Sequence, residues 1–314
     1  MDLLSATLSP SVTIVGHVCI DENRADDDSA VDEPNVDSLG RGGSGDGTNA
    51  SSGSGETRRS AGSPAVFMAP QFSRNSVDDV SVLAPYADDF PSLGAGLDFL
   101  NPPQAGTTML YRNIIEGGLR RQECQASAAA EPVPLNEAIS ARLASTDILV
   151  VAPLLPTFTA DYVRQLAGGV PSHAVTILIA QGYLRDVTDD AVVVKRAFSE
   201  HAEILPLFDL VVFSDEDISD ALVVARNWSG LYPRVRFVVT QNSAGATIFS
   251  AGSATHVAAH PIDTVGQAIG TGDVFSAEFA LSYFHSGDAV AAVAEANVAA
   301  ADFIVRSAVR AAAV

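Results

Sequence analysis

The sequence predicts an α/β protein built on a largely parallel sheet with helices on both faces. Three observations carry that expectation. The β-branched run Val12–Ile20 (VTIVGHVCI) suits a strand buried on both sides. From Ile148 onward, strand-like and helix-like stretches alternate in βαβα order, which needs crossover connections. Finally, 47% of the 314 residues are hydrophobic, ample for a substantial core and incompatible with global disorder.

The elements follow in order. After the first strand the composition changes abruptly. Asp21 to Ser60 is polar and Gly/Ser-rich, with ten acidic residues and four arginines and no periodicity. Residues 22–60 therefore read as a disordered acidic insertion. Order returns at Gly62-Ser63-Pro64, where Ser63 can cap a helix carrying Pro64 at its first position. A strand is expected at Val80–Ala84. Residues 107–125, with Glu116-Gly-Gly118 at the turn, read as a hairpin. Strands follow at Ile148–Ala152, Val175–Ala180, Leu210–Ser214 and Phe237–Thr240, with helices near Thr159–Leu166, Ala197–Leu205 and Ile218–Trp228. Gly245–Ser250 is expected to be antiparallel, and two helices, Thr271–His285 and Ala289–Ala312, close the chain. Asp288 is placed to cap the second.

Charge and cysteine usage exclude several function classes. With 38 acidic against 18 basic side chains the net charge is −20, and Lys195 is the only lysine. Such a surface repels phosphate backbones, so a nucleic-acid polymer is not an expected partner. Cys19 and Cys124 are too few for a disulfide framework, and no Cys/His spacing suggests zinc. His17, inside the first strand, reads as a hydrogen-bonded core or cleft imidazole. No apolar run reaches the ~18–20 residues of a membrane span, and the N-terminus lacks a signal-peptide pattern, so a cytoplasmic protein is expected.

The chemistry concentrates in Pro261–Phe275 (PIDTVGQAIGTGDVF). Gly270 and Gly272 bracket Thr271, and Asp273 falls in the first turn of a helix. Glycines let a ligand approach the backbone, and the amides at a helix start point outward, which makes an anion cradle without basic side chains. A carboxylate beside it can take a proton from an attacking hydroxyl.

This stretch, running on through SAEFALSYFHSGDAVAAVAEAN, resembles the C-terminal signature of the ribokinase-like (PfkB) carbohydrate kinases, closest to the myo-inositol kinase-like branch. The resemblance extends in order through VTIVGHVCID (Val12–Asp21), Ala61–Ala65, Tyr86–Phe90, Gln181–Arg185, Phe213–Asp217 and Val239–Gly245. It implies a three-layer α/β/α core with a small β lid that includes residues 107–125. The implied activity is ATP-dependent phosphorylation of a sugar or polyol hydroxyl with Mg²⁺. A nucleoside kinase, or a weakly catalytic relative that binds its ligand for regulation, stands as the alternative.

Residue by residue, the resemblance makes Asp273 the base and the amides around Gly270, Thr271 and Gly272 the anion hole. Asp21, Gly62 and Arg185 would meet the acceptor. Thr240, Gly245, Asn297 and Ser214 would meet the nucleotide, and Asp217 would serve Mg²⁺. Read without the resemblance, Asp21 could be a turn residue ending a strand, Asp217 a helix cap, and Arg120 and Arg121 a solvated strand face. The chain departs from the family pattern in five places, one being Thr271 for the family's alanine, where only the amide is used. Ser214-Asp-Glu-Asp217 stands where the family has NxxE, and at least one extra residue precedes Gly270. Asn242 and Ala61 each replace a glycine. Family members often dimerise through the lid, so a homodimer is a possible partner arrangement. Backbone amides and Mg²⁺ would reconcile a phosphate ligand with the −20 charge.

Overall fold

The computed structural model describes residues 9–25, 58–116, 119–263 and 269–312. Most of the expected insertion, residues 26–57, lies outside them, as do residues 117 and 118 of the expected hairpin turn and residues 264–268.

In chain order the first half comprises β1 (Val12–Gly16), β2 (Cys19–Ala25), β3 (Arg58–Gly62), α1 (Pro64–Arg74), β4 (Val80–Leu83), β5 (Met109–Glu116), β6 (Leu119–Gln125), α2 (Glu137–Leu143) and β7 (Ile148–Ala152). The second half begins with α3 (Ala160–Gly169), β8 (Val175–Ile179), β9 (Arg185–Val187), β10 (Val193–Lys195), α4 (His201–Ile204) and β11 (Leu210–Ser214). It ends with α5 (Ala221–Leu231), β12 (Arg236–Thr240), β13 (Ala246–Ser250), β14 (Ser253–Val257), α6 (Thr271–Ser286) and α7 (Ala289–Ala312).

Eight strands form the main sheet in the order β14-β13-β12-β11-β8-β7-β1-β4, parallel from β12 to β4 and antiparallel at β13 and β14. The period-2 alternation of each strand divides its side chains between two cores. Ile14, Ile148, Val150, Ile177 and Val212 pack with Phe275, Phe279 and Val293 of α6 and α7. Val15, Leu149, Val151, Leu178 and Val211 pack with Ile139, Val163, Leu166 and Trp228 on the other face. Three layers result, as expected from the sequence. The N-cap expected for the last helix is also found: Asp288 Oδ1 accepts from the amides of Val290 (2.9 Å) and Ala291 (3.2 Å).

A second sheet, β3-β2-β5-β6, stands apart from the main one. Here the structure departs from the sequence reading. Val12–Ile20 is not one strand: it breaks at His17-Val18, and its two halves join different sheets. Glu22–Ala25 and Arg58–Ser60, read as insertion, are strand. Their polar composition is offset by cross-strand pairing, since Glu22 lies opposite both Arg59 and Arg112. The two guanidiniums bond its carboxylate at 2.7 and 2.6 Å. Those bonds, Arg112's first, hold the Glu22 carboxyl below its ordinary range. The expected helix at Ala197–Leu205 shrinks to α4: residues 197–200 stay outside it, and at its end Pro206 turns the chain into a 3₁₀ segment, Leu205–Leu207.

His17 is fully buried and saturated. Its Nδ1 accepts the Leu154 amide at 2.8 Å, so Nε2 carries the proton and donates to Ala130 O at 2.8 Å. Burial lowers its pKa to about 4, which keeps the ring neutral.

Candidate active site

The start of α6 is set by Gly270, whose φ of 91° is the left-handed region that glycine enters freely. A β-carbon there would collide with the Phe67 ring of α1. Phe67 thus fixes how closely α1 and α6 approach, a contact with no sequence signal beyond the glycine. Thr271 is the first helical residue, and Gly272 is exposed, with open space where its β-carbon would stand. That opening over the first turn, where helix amides point outward, is a cradle an added side chain would fill.

Asp273 follows, half-buried. Desolvation raises its pKa to about 7, opposed by the Arg185 guanidinium and reinforced by the carboxylates of Asp21 and Asp217. These four groups come from α6, β9, β2 and the β11–α5 loop, so tertiary structure alone gathers them. Arg185 Nη2 lies 3.5 Å from Asp217 Oδ1, both largely buried. The hairpin β9-β10 carries Arg185 and abuts the small sheet, where the Cys124 amide donates to Ala191 O at 2.8 Å.

Asp21 lies in the middle of β2, not at a turn. It is buried, and its carboxylate packs so closely on Gly62 Cα that any β-carbon at Gly62 would collide with it. Gly62 and Cys19 are cross-strand partners, as are Asp21 and Ser60. Ser63 occupies the N-cap position of α1 with φ 129°, but its hydroxyl makes no capping bond. Among the described residues its buried Oγ has no hydrogen-bond partner, a polar atom one residue from Gly62. The capping role read for Ser63 is therefore positional only.

Asp217 does not cap a helix either. α5 begins at Ala221 behind Asp220, and Asp217 instead closes a tight turn. Its Oδ2 accepts the Ser214 amide at 2.8 Å, and its Oδ1 accepts from Gln181 Nε2 at 3.3 Å. Ser214 pairs in register with Thr240, whose carbonyl accepts the Asp215 amide at 3.0 Å. Gly245, at φ 102°, turns the chain into β13, and the segment after β14 crosses directly over it. Asn297 holds that segment, donating from Nδ2 to Ala258 O (3.0 Å) and Val257 O (3.4 Å).

The expected residues thus form two joined groups. Asp273, Arg185, Asp217, Asp21 and Gly62 converge between the sheets. Ser214, Thr240, Gly245 and Asn297 run along the carboxyl ends of β11 and β12, the edge of an open α/β sheet where ligands bind. Arg121 is exposed and pairs with Glu123 at 2.9 Å, the solvated strand face allowed for it. The Arg120 side chain lies outside the described set.

Sequence reasoning missed Tyr111, whose hydroxyl bonds Leu154 O at 3.3 Å beneath Asp21, and the placement of both cysteines in the same apolar floor. Only strand register could have revealed them. Among the described residues no cluster of three or more His, Cys, Asp or Glu could cage a metal ion, and no helix is long and apolar enough to cross a membrane.

The model of the pfkB family carbohydrate kinases matches residues 124–312. No curated protein matches the sequence significantly. Among solved structures, a pyrophosphate-dependent kinase of the ribokinase family, complexed with a pyrophosphate analog and myo-inositol, superposes with a TM-score of 0.69 at 17% identity, covering 93% of this chain and 94% of that one. Arabidopsis thaliana ribokinase complexed with ribose and ATP gives 0.66 at 14% identity, covering 94% and 92%. The Methanocaldococcus jannaschii nucleoside kinase gives 0.62 at 13%, covering 94% and 91%. With its fold shared across those structures and most of its length matched by the family model, the chain belongs to the pfkB family of carbohydrate kinases.

Proposed function

We propose that this protein transfers the γ-phosphoryl group of ATP to a hydroxyl of a neutral sugar or polyol, with Asp273 as general base. The observation that supports this most is Asp273 itself: a carboxyl with a pKa of about 7, set in the amide-lined opening of α6 and facing Asp21. A pKa near the working pH balances ionisation against proton-accepting power. The acceptor hydroxyl gives its proton to Asp273 as its oxygen attacks the phosphoryl group. The amides at Gly270, Thr271 and Gly272 oppose the charge on the transferred group's oxygens. Asp21 accepts hydrogen bonds from other acceptor hydroxyls, and the Ser63 hydroxyl finds its missing partner there. Arg185, steadied by Asp217, lies beside the base and meets the phosphoryl group in flight.

The donor end argues for a nucleotide. Residues 213–217, 240–245 and 257–260 contain no lysine or arginine, but do contain the exposed acids Asp215 and Glu216. Bare pyrophosphate would depend on side-chain cations there, whereas a nucleotide gains contacts from its base and ribose along Thr240, Gly245 and the segment held by Asn297. Mg²⁺ needs only one or two carboxylates beside the donor phosphates, and Asp217 retains acceptor capacity for it. When bound, the ion would neutralise phosphate charge.

Purified protein offered Mg-ATP or Mg-pyrophosphate, with polyols, hexoses, pentoses and nucleosides as acceptors, tests the proposal. ADP release that depends on a polyol or sugar is expected. A preference in kcat/KM for nucleosides, or turnover with pyrophosphate alone, overturns it. The close packing of Asp21 on Gly62 adds a further expectation. Gly62→Ala should raise the acceptor KM by about tenfold or more with little change in donor KM, since only the Asp21 carboxylate must move.

A further inference from the structure

Among the described residues the chain passes between the main sheet and the small four-stranded sheet at four places: Gly16 to Cys19, Gly62 to Pro64, the loop from β4 to β5, and the segment from β6 to α2. His17 stands in the first of these and reaches a second. Its Nδ1 accepts the amide of Leu154, in the loop after β7 of the main sheet. Its Nε2 faces Ala130 O, in the segment returning from β6, with Thr157 Oγ1 at 3.2 Å. Thr157 also bonds Ala130 O, at 2.5 Å, so the carbonyl is held from both sides. The imidazole packs against Phe158 with centroids 4.7 Å apart.

Leu154 links this clamp to the small sheet. While its amide bonds His17, its carbonyl takes the hydroxyl of Tyr111, which pairs in register with Asp21. Leu154, Leu155 and Ala130 form one apolar cluster with Cys19, Met109, Tyr111 and Cys124 of the small sheet. Apolar packing of this kind is non-directional and fixes no angle, whereas three hydrogen bonds to a rigid ring do.

We propose that His17 is a positioning residue: by tying β1's exit to the loop after β7 and to the segment after β6, it sets the angle between the sheets and hence where Asp21 stands relative to Asp273. The proposal rests on the acceptor site described above, but its structural half does not depend on turnover.

The test compares His17→Phe, His17→Asn and His17→Gln by amide hydrogen exchange and by steady-state kinetics. Phenylalanine keeps the packing and loses every bond. Asparagine places Oδ1 where Nδ1 stands and keeps the Leu154 bond, whereas glutamine reaches only towards Ala130. In His17→Phe, exchange should quicken about tenfold or more in β2, β5 and β6 and stay unchanged in β7 and β8. The acceptor KM should rise about tenfold or more with donor KM within about twofold. His17→Asn should recover most of both effects and His17→Gln less.

Exchange that quickens evenly through both sheets, acceptor and donor KM that rise together, or a His17→Phe protein matching wild type overturns the proposal. Should His17→Phe not fold, equal behaviour of the Asn and Gln variants overturns it in the same way. A wild-type protein with no kinase activity would refute the functional reading, and the exchange pattern would still judge the hinge.

Discussion

Asp273→Asn should lower kcat by about 10²–10⁴-fold, the usual contribution of a positioned general base, while leaving donor KM nearly unchanged. The same substitution should make the protein more stable at neutral and alkaline pH. The sign follows from linkage. The folded-state pKa of about 7 lies above the ordinary value of 3.8, so the folded protein holds this proton more tightly than the unfolded chain. The stabilising contribution is complete below about pH 3.8 and is lost as pH rises through about 7. An ionised Asp273 is thus a cost carried at working pH, on the order of 4 kcal/mol before solvent screening at its half-buried site reduces it. Asparagine carries no such cost. Thermal unfolding of the two proteins at pH 8 and pH 4 should show the variant ahead at pH 8 and the difference gone at pH 4. Equal stability at pH 8 would mean that Asp273 is not desolvated, and undiminished kcat would remove it from the chemistry.

A base held near pKa 7 also dictates the wild-type pH profile: kcat/KM should climb through about pH 7 and level above it, because only the ionised carboxylate accepts the proton.

The layered core was legible because period-2 alternation and βαβα order report burial directly, and strands such as Ile148–Ala152 and Leu210–Ser214 fall where the sequence placed them. The break at His17 was not. VTIVGHVCI offers only Gly16 beside the break, where a β-carbon would collide with the Ala152 carbonyl, and the rest of what divides it is a set of hydrogen bonds to residues more than 100 positions away. Glu22–Ala25 looked like insertion because charge reads as solvent in one dimension, while in the sheet Arg59 and Arg112 flank Glu22 from both neighbouring strands. The helix expected from Ile218, directly after the acids Asp215 to Asp217, begins only at Ala221, after Asp220. The glycine-flanked Asp273 was readable from local chemistry, since a helix start is a local event. Its environment was not, because Arg185, Asp21 and Asp217 arrive from three other elements.

Arg185 is where that environment can be tested most sharply. Among the described residues it is the one cation acting on Asp273, against the two neighbouring carboxylates of Asp21 and Asp217, and its field lowers the base's pKa. Arg185→Gln removes that field and leaves Asp217, among the described residues, with the Ser214 amide and Gln181. The rising limb of kcat/KM should then move alkaline by about 1–3 units, the usual effect of losing a close opposite charge. At pH 7 the shift alone would cost about tenfold or more. A second loss should remain at pH 9 once the rate is corrected for the fraction of base still protonated in the variant: about 10²-fold in kcat, from the missing guanidinium on the transferred phosphoryl group. The two effects separate with Arg185→Lys. An ammonium restores charge near Asp273 and should return the limb towards pH 7, but it lacks the planar fork that meets phosphate oxygens in pairs, so much of the pH 9 defect should persist. If Arg185→Gln leaves the limb in place, Arg185 does not act on the base. If the pH 9 rate is intact, its work is confined to tuning Asp273, and phosphoryl charge is met by the α6 amides and Mg²⁺.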